Sequence, residues 1–528
     1  MMPSHRWARN LTITDQDVEF LTNLLLEKEV PLKTETLARA LIEERLRQEA
    51  ALLQERFKDT QLYNPSHSYQ VGQKLVFPAF NYETGVVTGI RPGNNPDYGA
   101  FSVIAVRFDD NRFNNAGKPR EFAAELTTPH KLSQDNGNGT AFTTGFDTLS
   151  AGEILEANRD EILRKVEEAL SASPDLVYLA QKWFPYDLLL EANLGHRNLA
   201  EAVLDMAGGG PLTTEAILQE IGGLGKAPQE LQVYSLNYAL NDDDRFDEVG
   251  PTGEVLWYLS RLEPPEVRQM PAALRYTPID YDRSLLAPDM LTLEAEIGDE
   301  LSPAEPVESG LEEARVNLLY PHRRLGTLPL NRRMAAIFPT ARQTPRVWVT
   351  LVDGQDGEEY PAWVVREAAY IFGLAKFYRK HKLPVGATLI AQRSDDEGKV
   401  IINFNAYRPR TEWIRLAAPH GDIITFENQK RAIGAEYDEL MILGVDDLAG
   451  VDAIVQTVQQ SRRSLLAILK MLIPPLGALT PQGTVHAKTL YSALNILRRC
   501  PPGPMLATLL ANPDFENVGG HYWKLRFN

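Results

Sequence analysis

Asp244-Arg245-Phe246-Asp247-Glu248-Val249-Gly250, followed by Trp257-Tyr258-Leu259, is matched at the end of the chain by Pro513-Asp514-Phe515-Glu516-Asn517-Val518-Gly519 and then Trp523-Lys524-Leu525. Both stretches carry Phe-x-x-Val-Gly, a short turn and Trp-x-Leu. A tight turn between two short runs that place aromatic residues on one face predicts a β-hairpin. A helical run precedes each. Leu212 and Ile217 also match Val485 and Leu490 in spacing, at the entry to each middle helix. A partial echo lies near the start, where Pro31-Leu32-x-Thr34-Glu35-x-Leu37 parallels Pro211-Leu212-x-Thr214-Glu215-x-Ile217. It lacks the Phe-x-x-Val-Gly hairpin, and reads as a degenerate copy or a chance match. Phe246, Val249, Trp257, Phe515, Val518 and Trp523 are expected to pack each hairpin against its own helices, so they mark a fold and not a site.

Helices backed by one apolar hairpin suggest a winged helix. The run Gly209-Gly210-Pro211-Leu212-Thr213-Thr214-Glu215-Ala216-Ile217, then Leu240 to Phe246, Val249-Gly250 and Trp257-x-Leu259, resembles the HARE-type winged helix (HARE-HTH). That family includes the N-terminal domain of the bacterial RNA polymerase delta subunit. The resemblance implies a transcription-associated or defence-associated module. In the second copy Pro513-Asp514 replaces Asp-Arg. The candidate third helices, Pro228 to Leu240 and Met505 to Ala511, contain no Lys or Arg. A recognition helix reads base edges with polar and basic side chains, so sequence reading by these helices is not expected.

Outward from the repeats, the 528 residues predict several domains. Residues 1–60 read as a helix-turn-helix, with Thr34 as an N-cap. Residues 70–131 hold three strand-like runs separated by Gly, Pro and Asn, which suggests an SH3-like small barrel. Asn136 to Thr140 reads as a linker and 150–207 as helical. The first winged helix spans 208–264, and 265–318 reads as an acidic linker, exposed from Glu294 to Glu313. A basic barrel occupies 319–417 and a mixed connector 418–462. The second winged helix fills 463–528. The expected class is α+β and multidomain.

The net charge of −17 argues against nucleic acid until it is divided along the chain. Residues 132–318 carry −23, whereas 319–417 carry +7 and 463–528 carry +5. The acidic stretch suits a solvated face or a protein partner such as RNA polymerase. The basic blocks suit double-stranded DNA.

Leu374, Phe377, Leu383 and Gly386 keep the spacing of the B3-type DNA-binding pseudobarrel, although Leu374 stands for its Trp and Ala387 for its Asp. The resemblance implies two arms that grip a major groove, with Arg323 and Arg324 near one and Arg366 to Tyr370 near the other. Paired arginines suit phosphate and guanine. Two readings stand for Arg323, Arg324, Arg332 and Arg333: DNA contact, or solvation and pairing with the neighbouring acidic segment. Lys376, Arg379 and Lys380 read as a solvated helix face and remain candidates, with Arg366. In the last domain Lys488, Arg498, Arg499, Lys524 and Arg526 can meet phosphates without reading sequence.

Other chemistry has little support. The nine His residues form no ligand spacing, so no metal and no cofactor is expected. Gly222-Gly223-Leu224-Gly225-Lys226 lacks the Walker pattern. Glu397-Gly398-Lys399 reads as a hairpin tip and not as a nuclease site. No nucleophile has a partnered base, so no catalytic residue is expected. The single cysteine, Cys500, excludes a disulfide framework and fits a cytoplasmic setting. No stretch is long and apolar enough to span a membrane, and residues 1–10 lack a signal-peptide core. The expected function is non-enzymatic DNA binding or transcription association. The alternatives are a protein-binding scaffold or RNA polymerase accessory factor without direct DNA contact, or a targeting subunit of a restriction or defence system.

Overall fold

Helix α1 (Asp15–Lys28) begins at a capping box. The Asp17 amide donates to the Thr14 hydroxyl at 3.4 Å, and the Thr14 amide donates to the Asp17 carboxylate at 2.8 Å. The computed structural model describes residues 11–56, 60–77, 80, 83–95, 99–108, 118–128, 150–251, 253–303, 310–341, 344–396 and 398–526. Described residues up to Glu191, with Gly225–Ser235, form one compact unit. Ala192–Leu224 with Leu236 onward form a second. Both mix helices and sheets.

In the first unit α1 is followed by β1 (Leu32–Lys33) and α2 (Thr34–Arg56). A five-stranded sheet comes next, with β2 (Gln61–Leu62), β3 (Lys74–Phe77), β4 (Glu83–Pro92), β5 (Ser102–Phe108) and β6 (Arg120–Ala124) paired in that order. Its core is aromatic: Phe77 lies 4.8 Å from Tyr63, 5.0 Å from Phe108 and 4.6 Å from Phe122 between ring centroids. The two outer strands, β2 and β6, lacked the alternating apolar run that revealed the inner three. The expected linker at 136–140 lies outside the described residues.

Helices α3 (Ala151–Ala157) and α4 (Arg159–Ser171) then lead to β7 (Leu176–Leu179) and β8 (Lys182–Pro185). The hairpin pairs back onto β1, giving the order β1-β8-β7, with Leu32 opposite Trp183. Thr34 is the first helical residue and does not act as an N-cap. Its buried hydroxyl accepts from Trp183 Nε1 at 3.0 Å and donates to Glu167 at 3.1 Å.

The second unit repeats that layout. Helix α5 (Leu194–Met206), β9 (Leu212–Thr213), α6 (Thr214–Ile221), α7 (Gln229–Asn241), β10 (Phe246–Glu248) and β11 (Leu256–Leu259) form one copy, although α7 starts in the first unit. Its sheet order is β10-β11-β9. Leu212 faces Trp257, whose Nε1 donates to Thr214 at 3.1 Å and to Asn237 at 2.9 Å.

After α8 (Pro288–Ile297), the chain lays down a nearly closed, barrel-like sheet of seven strands. They are β12 (Glu313–Asn317), β13 (Thr327–Pro329), β14 (Arg346–Asp353), β15 (Glu359–Val365), β16 (Tyr370–Phe372), β17 (Thr388–Arg393) and β18 (Lys399–Asn403), in the order β12-β17-β18-β14-β15-β16-β13. Strand β14 alternates strictly, turning Val347, Val349 and Leu351 into the core. Helices α9 (Tyr320–Leu325), α10 (Arg332–Ile337) and α11 (Ala375–Lys380) lie in its connections. Gly326 ends α9 at φ +68°, where a Cβ would sit 2.5 Å from the Ala375 side chain.

A long hairpin of β19 (Ala406–His420) and β20 (Ile423–Ala435) follows, joined by β21 (Leu443–Val445). Then come α12 (Leu448–Gln460), α13 (Leu465–Gly477), β22 (Val485–His486), α14 (Ala487–Leu497), α15 (Pro502–Ala511), β23 (Phe515–Gly519) and β24 (Tyr522–Leu525). Val485 faces Trp523, and the sheet order is β22-β24-β23.

Two expectations are corrected. The stretch from Glu294 is not an exposed linker as far as Asp299 and Glu300: Glu294 and Asp299 are 3% and 6% exposed, Glu294 held by Arg283 and Asp299 and Glu300 by the distant Arg499. The motif residues also divide. Phe246, Trp257, Phe515 and Trp523 are buried as expected, but Val518 is 43% exposed. Val249 packs not on its own helices but on the barrel, with Trp363 and Tyr370, and its carbonyl accepts from the Trp348 amide at 2.8 Å.

Arg346 on β14 strengthens that junction. It donates to Asp247 at 2.5 Å and to the fully buried Glu263 at 2.7 Å. Burial first, then Asp247 beside it, push the Glu263 carboxyl up to about 8. The folded state therefore holds a proton that the unfolded chain releases near an ordinary carboxylate pKa of about 4.3. This contribution is complete below that range and is lost as pH rises through about 8. Thermal unfolding from about pH 6 to about pH 9 should show a fall in Tm that is smaller in E263Q. Parallel curves for the two proteins would refute the assignment.

Candidate functional site

Helix α12 ends in a left-handed turn. Arg462 has φ +47°, and the Arg463 amide donates back to the Val458 carbonyl at 3.2 Å. Both arginines thus sit just beyond a helix C-terminus, whose carbonyls favour cations. Ser464 caps the next helix, accepting from the Ala467 amide at 3.2 Å. Across from this turn, α14 ends at Arg498, whose guanidinium donates to the Arg463 carbonyl at 3.4 Å. Helix α9 contributes Arg324, and the segment before α8 contributes Arg275.

These elements enclose a cleft of about 540 Å³ whose charged lining is Arg275, Arg324, Arg462, Arg463, Arg498 and Arg499, with Asp452 as its one carboxylate. Asp452 takes both outer nitrogens of Arg324, one at 2.5 Å, and holds it above its usual pKa range. Arg275 donates to the Met270 carbonyl at 3.2 Å and Arg463 to the Met471 sulfur at 3.1 Å. Among the described residues no carboxylate is within ion-pair distance of Arg275, Arg462, Arg463 or Arg498. Four uncompensated guanidinium groups around one concavity give it a positive potential that suits an anion.

Arg499 shapes the cleft without serving it. Its side chain is 1% exposed, and Nη2 donates to Asp299 and to Glu300 at 2.7 Å each. Nη1 donates to Asn495 at 2.9 Å. Tyr491 hydrogen-bonds Asp299, and His322 lies 3.1 Å from Glu300 and 2.9 Å from Thr327. Burial raises Asp299. Burial also works to raise Glu300, but Arg499 and His322 outweigh it and hold Glu300 well below the carboxylate range.

The remaining candidates lie elsewhere. Arg323 is half-buried, donating to the Leu383 carbonyl at 2.6 Å, and burial lowers its pKa. Arg366 clamps the carbonyls of Phe338 at 2.6 Å and Pro339 at 2.8 Å. Lys380 is held by Asp353, Asp356 and Glu358 at 2.5–2.8 Å, while Lys376 and Arg379 on the same helix are exposed. Lys488 meets Asp438 at 3.2 Å and Glu296 at 3.4 Å, and Lys524 meets Glu516 at 3.5 Å. Arg526 is exposed. Arg332 and Arg333 are exposed and line a second cavity of about 530 Å³, where Glu296, Glu436 and Asp438 balance them.

The cleft thus unites Arg324, Arg463, Arg498 and Arg499 from the two basic blocks with Arg275 and Arg462, which segment charges concealed. Cys500 is buried beside it, its thiol pushed up to about 12 by burial. Among the described residues no group of three or more His, Cys, Asp or Glu side chains is arranged to hold a metal ion. No described helix is long and apolar enough to cross a membrane. Glu397 of the Glu-x-Lys stretch lies outside the described residues, and Lys399 pairs with Glu359 at 2.8 Å. Compared with known proteins, the chain matches no family model, no curated protein and no solved structure.

Arg499 and Arg462 should separate in stability measurements. Arg499→Met strands two buried carboxylates and should cost about 3–5 kcal/mol in urea denaturation. Arg462→Ala removes an exposed charge and should stay within about 0.5 kcal/mol of the parent. Equal effects would show that the buried network does not hold the cleft.

Proposed function

We propose that this is a non-enzymatic, DNA-binding and transcription-associated protein. The three repeats of helix, short strand, helices and hairpin are read as winged helices of the HARE type. The seven-stranded sheet is read as a B3-like barrel and the five-stranded sheet as an SH3-like one. The observation that carries the proposal is the cleft, with four arginines that no described carboxylate neutralises. Its walls come from the barrel connection and the last helical module, the two blocks whose sequences are basic, together with the segment before α8 and helix α12.

The mode of binding differs from groove reading by a third helix. Helix α15 is buried from Pro502 to Ala507, so it offers no face to a groove. The arginines of the cleft would take phosphates, which fixes the position of a duplex and carries no sequence information.

A protein-binding scaffold is the second reading. It is favoured by the basic residues already spent within the chain, such as Lys488 on Asp438 and Lys380 on Asp353. Titration of labelled duplex DNA of about 20 base pairs, from about 50 to about 200 mM salt, separates the two. DNA binding predicts a steep fall in affinity, with a slope of about −0.9 per phosphate contacted. Replacing Arg275, Arg462, Arg463 and Arg498 with Ala should flatten that slope by about 3.6 where each meets one phosphate. No binding at the lowest salt, or an unchanged slope, would leave the scaffold reading.

A further inference from the structure

The hairpin of β19 and β20 is tied down at both ends and bare between them. At one end Ile414, Leu416, Ile424 and Phe426 are buried, and at the other Ile433 and Ala435 are buried. From Arg408 to Trp413, and from Glu427 to Ala432, all residues but Glu412 and Gln429 are exposed. A two-stranded ribbon is marginal in water unless something packs on it. Here the anchors hold it, so its shape is preformed before any ligand arrives.

Strand pairing sorts the side chains. Trp413 stands opposite Lys430, Thr411 opposite Ala432, and Arg415 opposite Asn428, so these six share one face. Glu412 and Glu427 belong to the other face, where Arg431 pairs with Asp446. Among the described residues the Trp413 face therefore carries cations and no carboxylate. Trp413 is 61% exposed even though the Lys430 ammonium lies 4.9 Å from its ring centroid. Arg410 stands opposite Ile433, on the Glu412 face, with its guanidinium 4.7 Å from the Tyr407 ring, and Arg408 lies in the irregularity between Ala406 and Arg410. Strand β20 is the sheet's edge, and Lys430 and Arg431 protect it from pairing with another strand.

We propose that this face is a stacking platform for single-stranded nucleic acid, with a base on the Trp413 ring and an adjoining phosphate on Lys430. A large flat ring kept in water beside cations without carboxylate partners fits a nucleotide better than any other partner. Stacking needs an unpaired base, and the phosphates need nearby positive charge. A duplex hides its base faces, so it would miss the ring. The inference deepens the nucleic-acid reading by assigning the unpaired strand to this hairpin and the duplex backbone to the arginine cleft.

The test uses the full chain with labelled oligothymidylate of about 15 nucleotides and a duplex of equal length, at one low salt concentration. W413A should weaken oligothymidylate binding about tenfold, W413F should weaken it less, and duplex binding should barely change. Quenching of tryptophan fluorescence by oligothymidylate should drop in W413F. Trp413 is exposed, so matching unfolding curves will certify that the variants fold. Oligothymidylate binding that is unchanged in W413A overturns the platform, as does competition by polyglutamate as effective as by oligothymidylate. If the cleft variants lose duplex binding while W413A keeps the parent's oligothymidylate affinity, the DNA reading stands and the platform falls. If W413A loses oligothymidylate while the cleft variants keep their duplex affinity and salt slope, the platform stands and the cleft reading falls.

Discussion

The second unit depends on one guanidinium removed from water. Arg499 is buried with two carboxylates, Asp299 and Glu300, from a segment about 200 residues earlier in the chain. Tyr491 joins through Asp299, and His322 and Thr327 join through Glu300. The network therefore connects α14, the end of α8, α9 and the first edge of the barrel. Such an arrangement is a poor source of net stability, because desolvating three charges offsets most of their attraction. Its value is register. Any shift of α14 against α9 would strand a charge, so Arg498 and Arg324 are held on the same cleft.

The helix-and-hairpin unit rests on a simpler constraint. In each copy a residue of the short first strand faces a buried tryptophan: Leu32 with Trp183, Leu212 with Trp257, and Val485 with Trp523. In the first two, the indole N–H is satisfied by a threonine that opens the next helix. Ala487 occupies that position in the third, and the Trp523 N–H has no partner among the described residues. Two copies were legible because both keep Phe-x-x-Val-Gly. The first was seen only as an echo. Its hairpin turns through Ala180 and Gln181 at positive φ and lacks Val-Gly, and a five-stranded sheet separates it from α2.

The charge map misled for a related reason. Composition counts residues along the chain, whereas burial and pairing act across it. Glu294, Asp299 and Glu300 read as solvent-loving in an acidic stretch. Each is in fact a partner for an arginine, two of them for one far away in sequence. The same averaging hid Arg275 and Arg462, which lie in segments that are acidic overall, and Arg463 stands at the very edge of a basic one. Arg324 and Arg498 were legible because their neighbourhoods are basic. Trp413 gave no signal, because a tryptophan in an alternating run reads as core and only the pairing register turns it outward.

The excess of negative charge is compatible with a polyanion ligand once its distribution is considered. Fields from exposed charges fade over roughly 8 Å at physiological salt, so an anion near the cleft responds to the local arginines. Elsewhere an acidic surface repels the same anion and suppresses non-specific attachment. On the proposed reading, a protein with net charge −17 and a few concentrated cationic sites would be confined to contacts where those sites meet phosphate. Positive charge spread evenly over the surface would bind more tightly and discriminate less. Burying Arg499 with its own carboxylates fits this logic: it shapes the concavity without adding to the surface potential, so the cleft's charge comes from groups that solvent and ligand can reach.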